Sequence, residues 1–133
     1  MQKYKTLNHC KFKLKFYLIF STKYRRSLLN EIRNDLFNSF KRAEKMQNNW
    51  IIDFMEIDKN HIHFLIDANN MIYIPDMIHK LKQVSTYDMW KKHYNYMRKF
   101  YWKQHHLWTK GYFICSIGDA SEEIIENYIK NQG

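Results

Sequence analysis

Proline is almost missing from this 133-residue chain, with one copy, and glycine is scarce, with three. No proline- or glycine-rich tract, internal repeat or low-complexity segment divides it, so 1–133 reads as a single domain. A chain of that length can bury about 70 % of its unfolded surface. Cysteine is also rare. Cys10 and Cys115 stand far apart in apolar, strand-like contexts, which excludes a disulfide framework and a Cys-x-x-Cys zinc site. Both read as small packing residues, and nothing near His9-Cys10 completes a metal set. No apolar run approaches the roughly 20 residues of a membrane helix, and residues 1–8 are no signal peptide, so the expected location is cytoplasmic. Acidic residues are in deficit: 13 against 22 Lys and Arg, a net charge of +9.

That charge comes with ten Tyr, four Trp and 45 % hydrophobic residues, which argues for a packed globule and against disorder. Cations interleaved with rings suit a nucleic-acid partner, since they neutralise phosphates while rings stack on unpaired bases. A merely basic protein is the plain alternative, and charge alone does not decide between them.

Hydrophobic periodicity orders the chain. Lys11-Phe12-Lys13-Leu14-Lys15 alternates and runs into Phe16-Tyr17-Leu18-Ile19-Phe20, a strand over 9–22 with an exposed first half and a buried second. It ends in a dense cationic turn, Lys23-Tyr24-Arg25-Arg26, either a solvated charge run or a phosphate clamp. Ser27 is placed to cap a helix over 28–47, whose core stripe is Leu29, Ile32, Leu36, Phe40 and Ala43. Trp50 to Ile57 reads as a second strand, joined by Asp58-Lys59-Asn60 to a third in a hairpin. Pro75 and Asp76 suit the first turn of a second helix with a stripe of Ile74, Ile78, Leu81, Ser85 and Met89. Residues 90–106 read as the helix end plus a basic, aromatic connector. A fourth strand is expected over 107–118, and Asp119 with Glu122 resembles a capping box for a last helix over about 120–132. The order β-α-β-β-α-β-α is α+β. Its first six elements match the ferredoxin-like, RRM-like pattern, a four-stranded antiparallel sheet with both helices on one face.

The third strand carries His61-Ile62-His63. Alternate residues of a strand share a face, so the two imidazoles project together while Ile62, Phe64 and Ile66 enter the core. Two imidazoles held that way make an incomplete metal site. A random His-x-His is more often a pair of surface residues, and other parts of the chain change those odds. On the last helix Tyr128 and Gln132 are four residues apart and share a face. Gln132 is placed to supply a third ligand, and Tyr128 to attack a phosphate bound to the metal.

These residues carry a resemblance to the single-tyrosine HUH transposases, small enzymes of one insertion-sequence class that act on single-stranded DNA. It runs in order through Lys23-Tyr24-Arg25-Arg26 and Asp58-Lys59-Asn60-His61-Ile62-His63. It continues through Leu107-Trp108-Thr109-Lys110-Gly111-Tyr112-Phe113 with Gly118, and ends in Tyr128-Ile129-Lys130-Asn131-Gln132. The resemblance implies a metal-dependent DNA transposase in which His61, His63 and Gln132 bind Mg²⁺ or Mn²⁺. It makes Tyr128 the nucleophile that joins a 5′ phosphate and releases a 3′ hydroxyl. It further implies DNA contacts by Lys23, Tyr24, Arg25, Arg26 and Lys82, DNA hairpins as partners, and a homodimer whose tyrosine helix can serve the other subunit. Two departures stand out. Lys82-Gln83-Val84 lacks the glycine that relatives often carry after the lysine, and Gly133 follows Gln132 directly where many relatives continue. Competing readings are a domesticated relative that nicks hairpins, a non-catalytic single-strand binder using an open sheet, and a metal-sensing or storage protein, which the charge disfavours.

Overall fold

The computed structural model describes residues 12–117. Strand β1 (Leu14–Ser21) is followed by a cationic 3-10 turn (Lys23–Arg25) and a second 3-10 turn (Leu29–Ile32) that leads into helix α1 (Arg33–Lys45). Strands β2 (Trp50–Ile57) and β3 (His61–Ala68) form the hairpin, helix α2 (Ile74–Lys92) and the short α3 (Tyr94–Met97) follow, and β4 (Phe113–Ser116) completes the sheet. The strand order is β2-β3-β1-β4, antiparallel throughout, as the ferredoxin-like reading requires. No helix among the described residues is long and apolar enough to cross a membrane.

Periodicity explains which faces meet. Leu18 and Phe20 of β1, and Ile62, Phe64 and Ile66 of β3, point to the helices and are buried with Leu36, Phe40 and Ala43 of α1. Met77, Ile78, Leu81, Val84, Met89 and Trp90 supply the face of α2, with Ser85 buried among them. Phe40 sits edge-on to Phe64 at 5.0 Å, and Phe20 edge-on to Trp108 at 4.8 Å, the geometry that aromatic quadrupoles favour. Arg42 grips both carboxylate oxygens of Asp88, at 2.6 and 3.0 Å, and ties α1 to α2 across their outer edge.

Three boundaries differ from the sequence expectation. Ser27 does not cap the first helix, which begins through the 3-10 turn with no side-chain cap. Leu28 and Leu29 are fully buried there, and the Leu29 N–H donates to the Lys59 carbonyl at 2.9 Å, so the hairpin turn sets the entry of the chain. The fourth strand is shorter than 107–118. Trp108 bridges to Thr22 beside the end of β1 and the Thr109 N–H still donates to the Ser21 carbonyl at 2.9 Å, but the chain then leaves the sheet and rejoins at Phe113. The cause is Lys82, whose ammonium donates to the carbonyls of Thr109, Lys110 and Gly111 at 2.8, 3.2 and 3.1 Å and draws them from the ladder. The aromatic connector after α2 is packed rather than loose. The indole of Trp90 donates to the His106 carbonyl at 2.7 Å, and the His105 ring lies flat on it, 4.0 Å between centroids.

The sheet face away from the helices holds a second apolar patch. Tyr17 and Ile19 are buried there against Leu65, Cys115 and Ile117. Cys115 packs as expected, and burial pushes its thiol pKa up, which disfavours the thiolate. Cys10, Gly118 and the residues 120–132 expected to form the last helix, Tyr128 and Gln132 among them, lie outside the described residues.

Candidate metal centre and nucleic-acid face

The hairpin places both histidines. Its turn closes when the Asp58 N–H donates to the His61 carbonyl at 2.9 Å, which brings the Asp58 carboxylate beneath the two imidazoles. Asp58 Oδ2 then stands 3.0 Å from His61 Nε2 and 3.5 Å from His63 Nε2. The two rings are 4.7 Å apart and nearly perpendicular, and the three donor atoms all lie within 4.8 Å of one another. The shared face expected from the His-x-His spacing is therefore present, with a carboxylate added to it.

The far nitrogen of each ring is engaged. His61 Nδ1 lies 2.8 Å from the side-chain oxygen of Asn60, which only accepts, so Nδ1 carries the proton. His61 Nε2 is then bare in the neutral ring; it is buried and has no hydrogen-bond partner among the described residues, although Asp58 Oδ2 is within ion-pair distance. A lone pair facing a carboxylate is repulsive unless a proton or a cation sits between them. Adjacent ligands of an octahedral dication with bonds of about 2.1 Å stand roughly 3 Å apart, close to the 3.0 and 3.5 Å that separate Asp58 Oδ2 from the two imidazole nitrogens. His63 Nδ1 meets the hydroxyl of Tyr17 at 2.6 Å. Burial, and then the neighbouring His61, hold the His63 pKa below the ordinary histidine value, which favours the neutral ring that a metal needs. The residues present fit a hard or borderline divalent cation.

A cleft of about 970 Å³ opens beside this centre, lined by His61, Asp58 and Asn60, by Arg25, Arg33 and Lys59, and by the ring of Tyr112. The cationic turn forms one edge. Tyr24 and Arg25 both adopt left-handed backbone, with φ of 60° and 52°, which is strained for residues with a Cβ. Hydrogen bonds hold them there. The Thr22 hydroxyl donates to the Arg26 carbonyl at 2.8 Å, and the Tyr101 hydroxyl donates to the Lys23 carbonyl at 2.7 Å. The result is a ring, Tyr24, that is 67 % exposed, followed by exposed Arg25 and Arg26 and with the Lys23 ammonium 5.4 Å from its centroid.

Lys82 reaches this region from behind. Its donors go to the three loop carbonyls, and it lies 5.3 and 5.7 Å from the ring centroids of Phe20 and Tyr112, with burial lowering its pKa to about 8. It thus shapes the cleft wall around Thr109 and Gly111. Three residues of the centre escaped sequence reasoning: Asp58, read only as a turn residue, Asn60 and Tyr17. Asp58, three residues before His61 in a tight hairpin, carried a usable signal; Tyr17 did not.

Comparison with known proteins bears on the family and the fold. The family model for IS200-like transposases matches residues 10–132. The ISDra2 transposase TnpA of Deinococcus radiodurans is 28 % identical over 121 residues, covering 91 % of this chain and 85 % of that protein. A transposase for insertion sequence element IS200 from Salmonella typhimurium is 25 % identical over 129 residues, covering 96 % of this chain and 82 % of that one. A crystal structure from Deinococcus radiodurans R1, assigned as a transposase, superposes with a TM-score of 0.71 at 28 % identity over 91 % of this chain and 92 % of that one. A REP-associated tyrosine transposase bound to a REP hairpin shares the fold alone, with a TM-score of 0.63 at 9 % identity over 86 % of this chain and 62 % of that one. The matched span takes in every strand and helix around the two histidines, and this chain belongs to the family of IS200-like transposases.

Proposed function

We propose that this chain is a metal-dependent transposase that cuts and rejoins single-stranded DNA beside hairpins through a phosphotyrosine intermediate at Tyr128. The observation that carries the reading is the convergence of His61 Nε2 and His63 Nε2 on one oxygen of Asp58, with both Nδ1 atoms held elsewhere. A divalent cation, Mg²⁺ or Mn²⁺ by family resemblance, would be held by His61, His63 and Asp58 with Gln132 as a further ligand. Bound there it supplies Lewis-acid polarisation of a phosphate oxygen, offsetting the charge that grows in the transition state.

The chain's own residues do the rest. Arg25, Arg33 and Lys59 line the cleft and draw the DNA backbone toward the centre, and exposed Tyr24 offers a ring for an unpaired base. Lys82 acts through the loop it holds. The phenol oxygen of Tyr128 attacks phosphorus, the bond from phosphorus to the 3′ oxygen breaks, and that oxygen leaves as a hydroxyl with the proton released from the phenol. The new linkage is still a phosphodiester, so a 3′ hydroxyl can attack it and release Tyr128 without ATP. A hairpin partner is favoured by the hairpin seen on the structural neighbour and by the net charge of +9. A homodimer sharing its sites completes the proposal.

The test is incubation of the protein with labelled single-stranded hairpin DNA from the flanks of its own gene and Mn²⁺, followed by a denaturing gel. The wild type forms a covalent adduct, and Tyr128→Phe forms none while still binding the hairpin. Binding that persists in EDTA with no adduct under any metal would replace this reading with a non-catalytic single-strand binder.

A further inference from the structure

A cation that takes the Nε2 lone pair of a neutral imidazole requires the ring proton on Nδ1, and that proton requires an acceptor. For His61 the acceptor is Asn60, its neighbour in the hairpin turn. For His63 it is a tyrosine 46 residues away on the adjacent strand. The sheet register makes the contact. Ile19 pairs with His63 and Tyr17 with Leu65, so Tyr17 is the diagonal neighbour of His63 on the same face. The two groups are each 1 % exposed, their rings are stacked with centroids 6.0 Å apart, and Phe113 packs edge-on against Tyr17 at 6.3 Å. Buried in this way, Tyr17 is no candidate for the attacking phenol.

We propose that Tyr17 is a positioning residue for the divalent cation, its hydroxyl accepting the Nδ1 proton of His63 so that the Nε2 lone pair is aimed at the ion shared with His61 and Asp58. This rests on the reading of that cluster as a metal centre. The choice of a phenol has a chemical consequence. A carbonyl only accepts, whereas a hydroxyl both donates and accepts. Without a cation, the Tyr17 O–H can donate to a bare Nδ1 while the His63 Nε2–H faces Asp58. When the cation binds, the proton resides on Nδ1, the hydroxyl turns, and the hydrogen bond survives with its direction reversed. His63 thus keeps a partner in both states, and its ring is held in one orientation throughout.

The experiment uses the full chain and Mn²⁺ alone, with the binding curve read from the loss of the free-ion EPR signal. Tyr17→Phe keeps the ring that packs on Phe113 and removes only the oxygen, so it should weaken Mn²⁺ binding by about 10- to 100-fold. DNA hairpin binding in EDTA should be unaffected. Excess Mn²⁺ should restore the covalent adduct in Tyr17→Phe, which it cannot do in Tyr128→Phe. A folded Tyr17→Phe protein whose Mn²⁺ affinity lies within twofold of wild type overturns the proposal. A second measurement needs no variant: ¹⁵N spectra of the histidines in Mg²⁺-saturated wild type must show His63 protonated at Nδ1, and a proton on Nε2 overturns it equally. Wild type that takes up no Mn²⁺ removes the metal centre itself, and that failure is visible before any variant is made.

Discussion

Replacing Asp58 with asparagine tests the metal centre at the residue the sequence did not single out. Asn keeps an oxygen in nearly the same place and removes one negative charge. Asp58 Oδ2 is 3.0 and 3.5 Å from the two imidazole nitrogens, so an ion bound to all three lies about 2.1 Å from that oxygen. The Asp58 side chain is 40 % exposed, which makes a water-like dielectric the appropriate choice. At that dielectric a unit negative charge and a dication attract by about 4 kcal/mol at ~2.1 Å. The amide dipole and an extra water recover part of it, leaving a loss of about 2 to 4 kcal/mol, or roughly 30- to 1000-fold in affinity. Mn²⁺ titration of Asp58→Asn by EPR or calorimetry should show that loss, with an unaltered melting transition in the absence of metal. An affinity within threefold of wild type would refute the reasoning, because it would mean that the carboxylate is a hairpin-turn group and no ligand.

Removing the cations of the exposed turn with Arg25→Ala and Arg26→Ala should weaken DNA binding and flatten the log–log salt dependence by about 0.7 per lost phosphate contact on single strands, and an unchanged slope returns the turn to ordinary solvated surface. Arg25→Gly should weaken DNA binding in the same way yet raise the urea midpoint, since glycine adopts the left-handed backbone seen at φ 52° without strain, and a lowered midpoint would show that strain to be absent. Lys82 has a folded pKa of about 8 against 10.5 when free, so between those values the unfolded chain holds the proton more tightly and stability rises with pH through that window. Unfolding midpoints of wild type and Lys82→Met, compared at several pH values across that range, should diverge in favour of wild type as pH rises, and parallel curves would contradict it. In mixed dimers of one His61→Ala chain and one Tyr128→Phe chain, a tyrosine helix acting across the dimer puts the DNA adduct on the His61→Ala chain. No adduct in verified mixed dimers, with wild type active alongside, supports action within one chain.

Much of the fold was legible because it follows from local periodicity. Trp50 to Ile57 reads as a strand closed by the turn Asp58-Lys59-Asn60, and β2 spans Trp50–Ile57. The stripe Leu29, Ile32, Leu36, Phe40 and Ala43 is buried throughout, since helical spacing of apolar groups on one face has no better outlet than a core. The His61 and His63 pair was legible for a similar reason: a strand repeats every two residues, and Ile62, Phe64 and Ile66 declare which face is inside.

What periodicity does not contain is pairing. Tyr17 meets His63 only because β1 and β3 lie side by side in one register, and a shift of a single residue would turn Tyr17 to the helices. Asp58 joins the centre only because the hairpin closes through its own N–H. The late start of β4 and the unused cap at Ser27 have the same origin. In each, a distant group, the Lys82 ammonium or the Lys59 carbonyl, offers the backbone a partner that no neighbour in sequence announces. The strands and the shared face of His61 and His63 are thus properties of short stretches of residues. The His63 tautomer, the placing of Asp58 and the cleft wall belong to contacts across 3 to 46 residues of chain, and a backbone hydrogen bond commits to such contacts only after the sheet has formed.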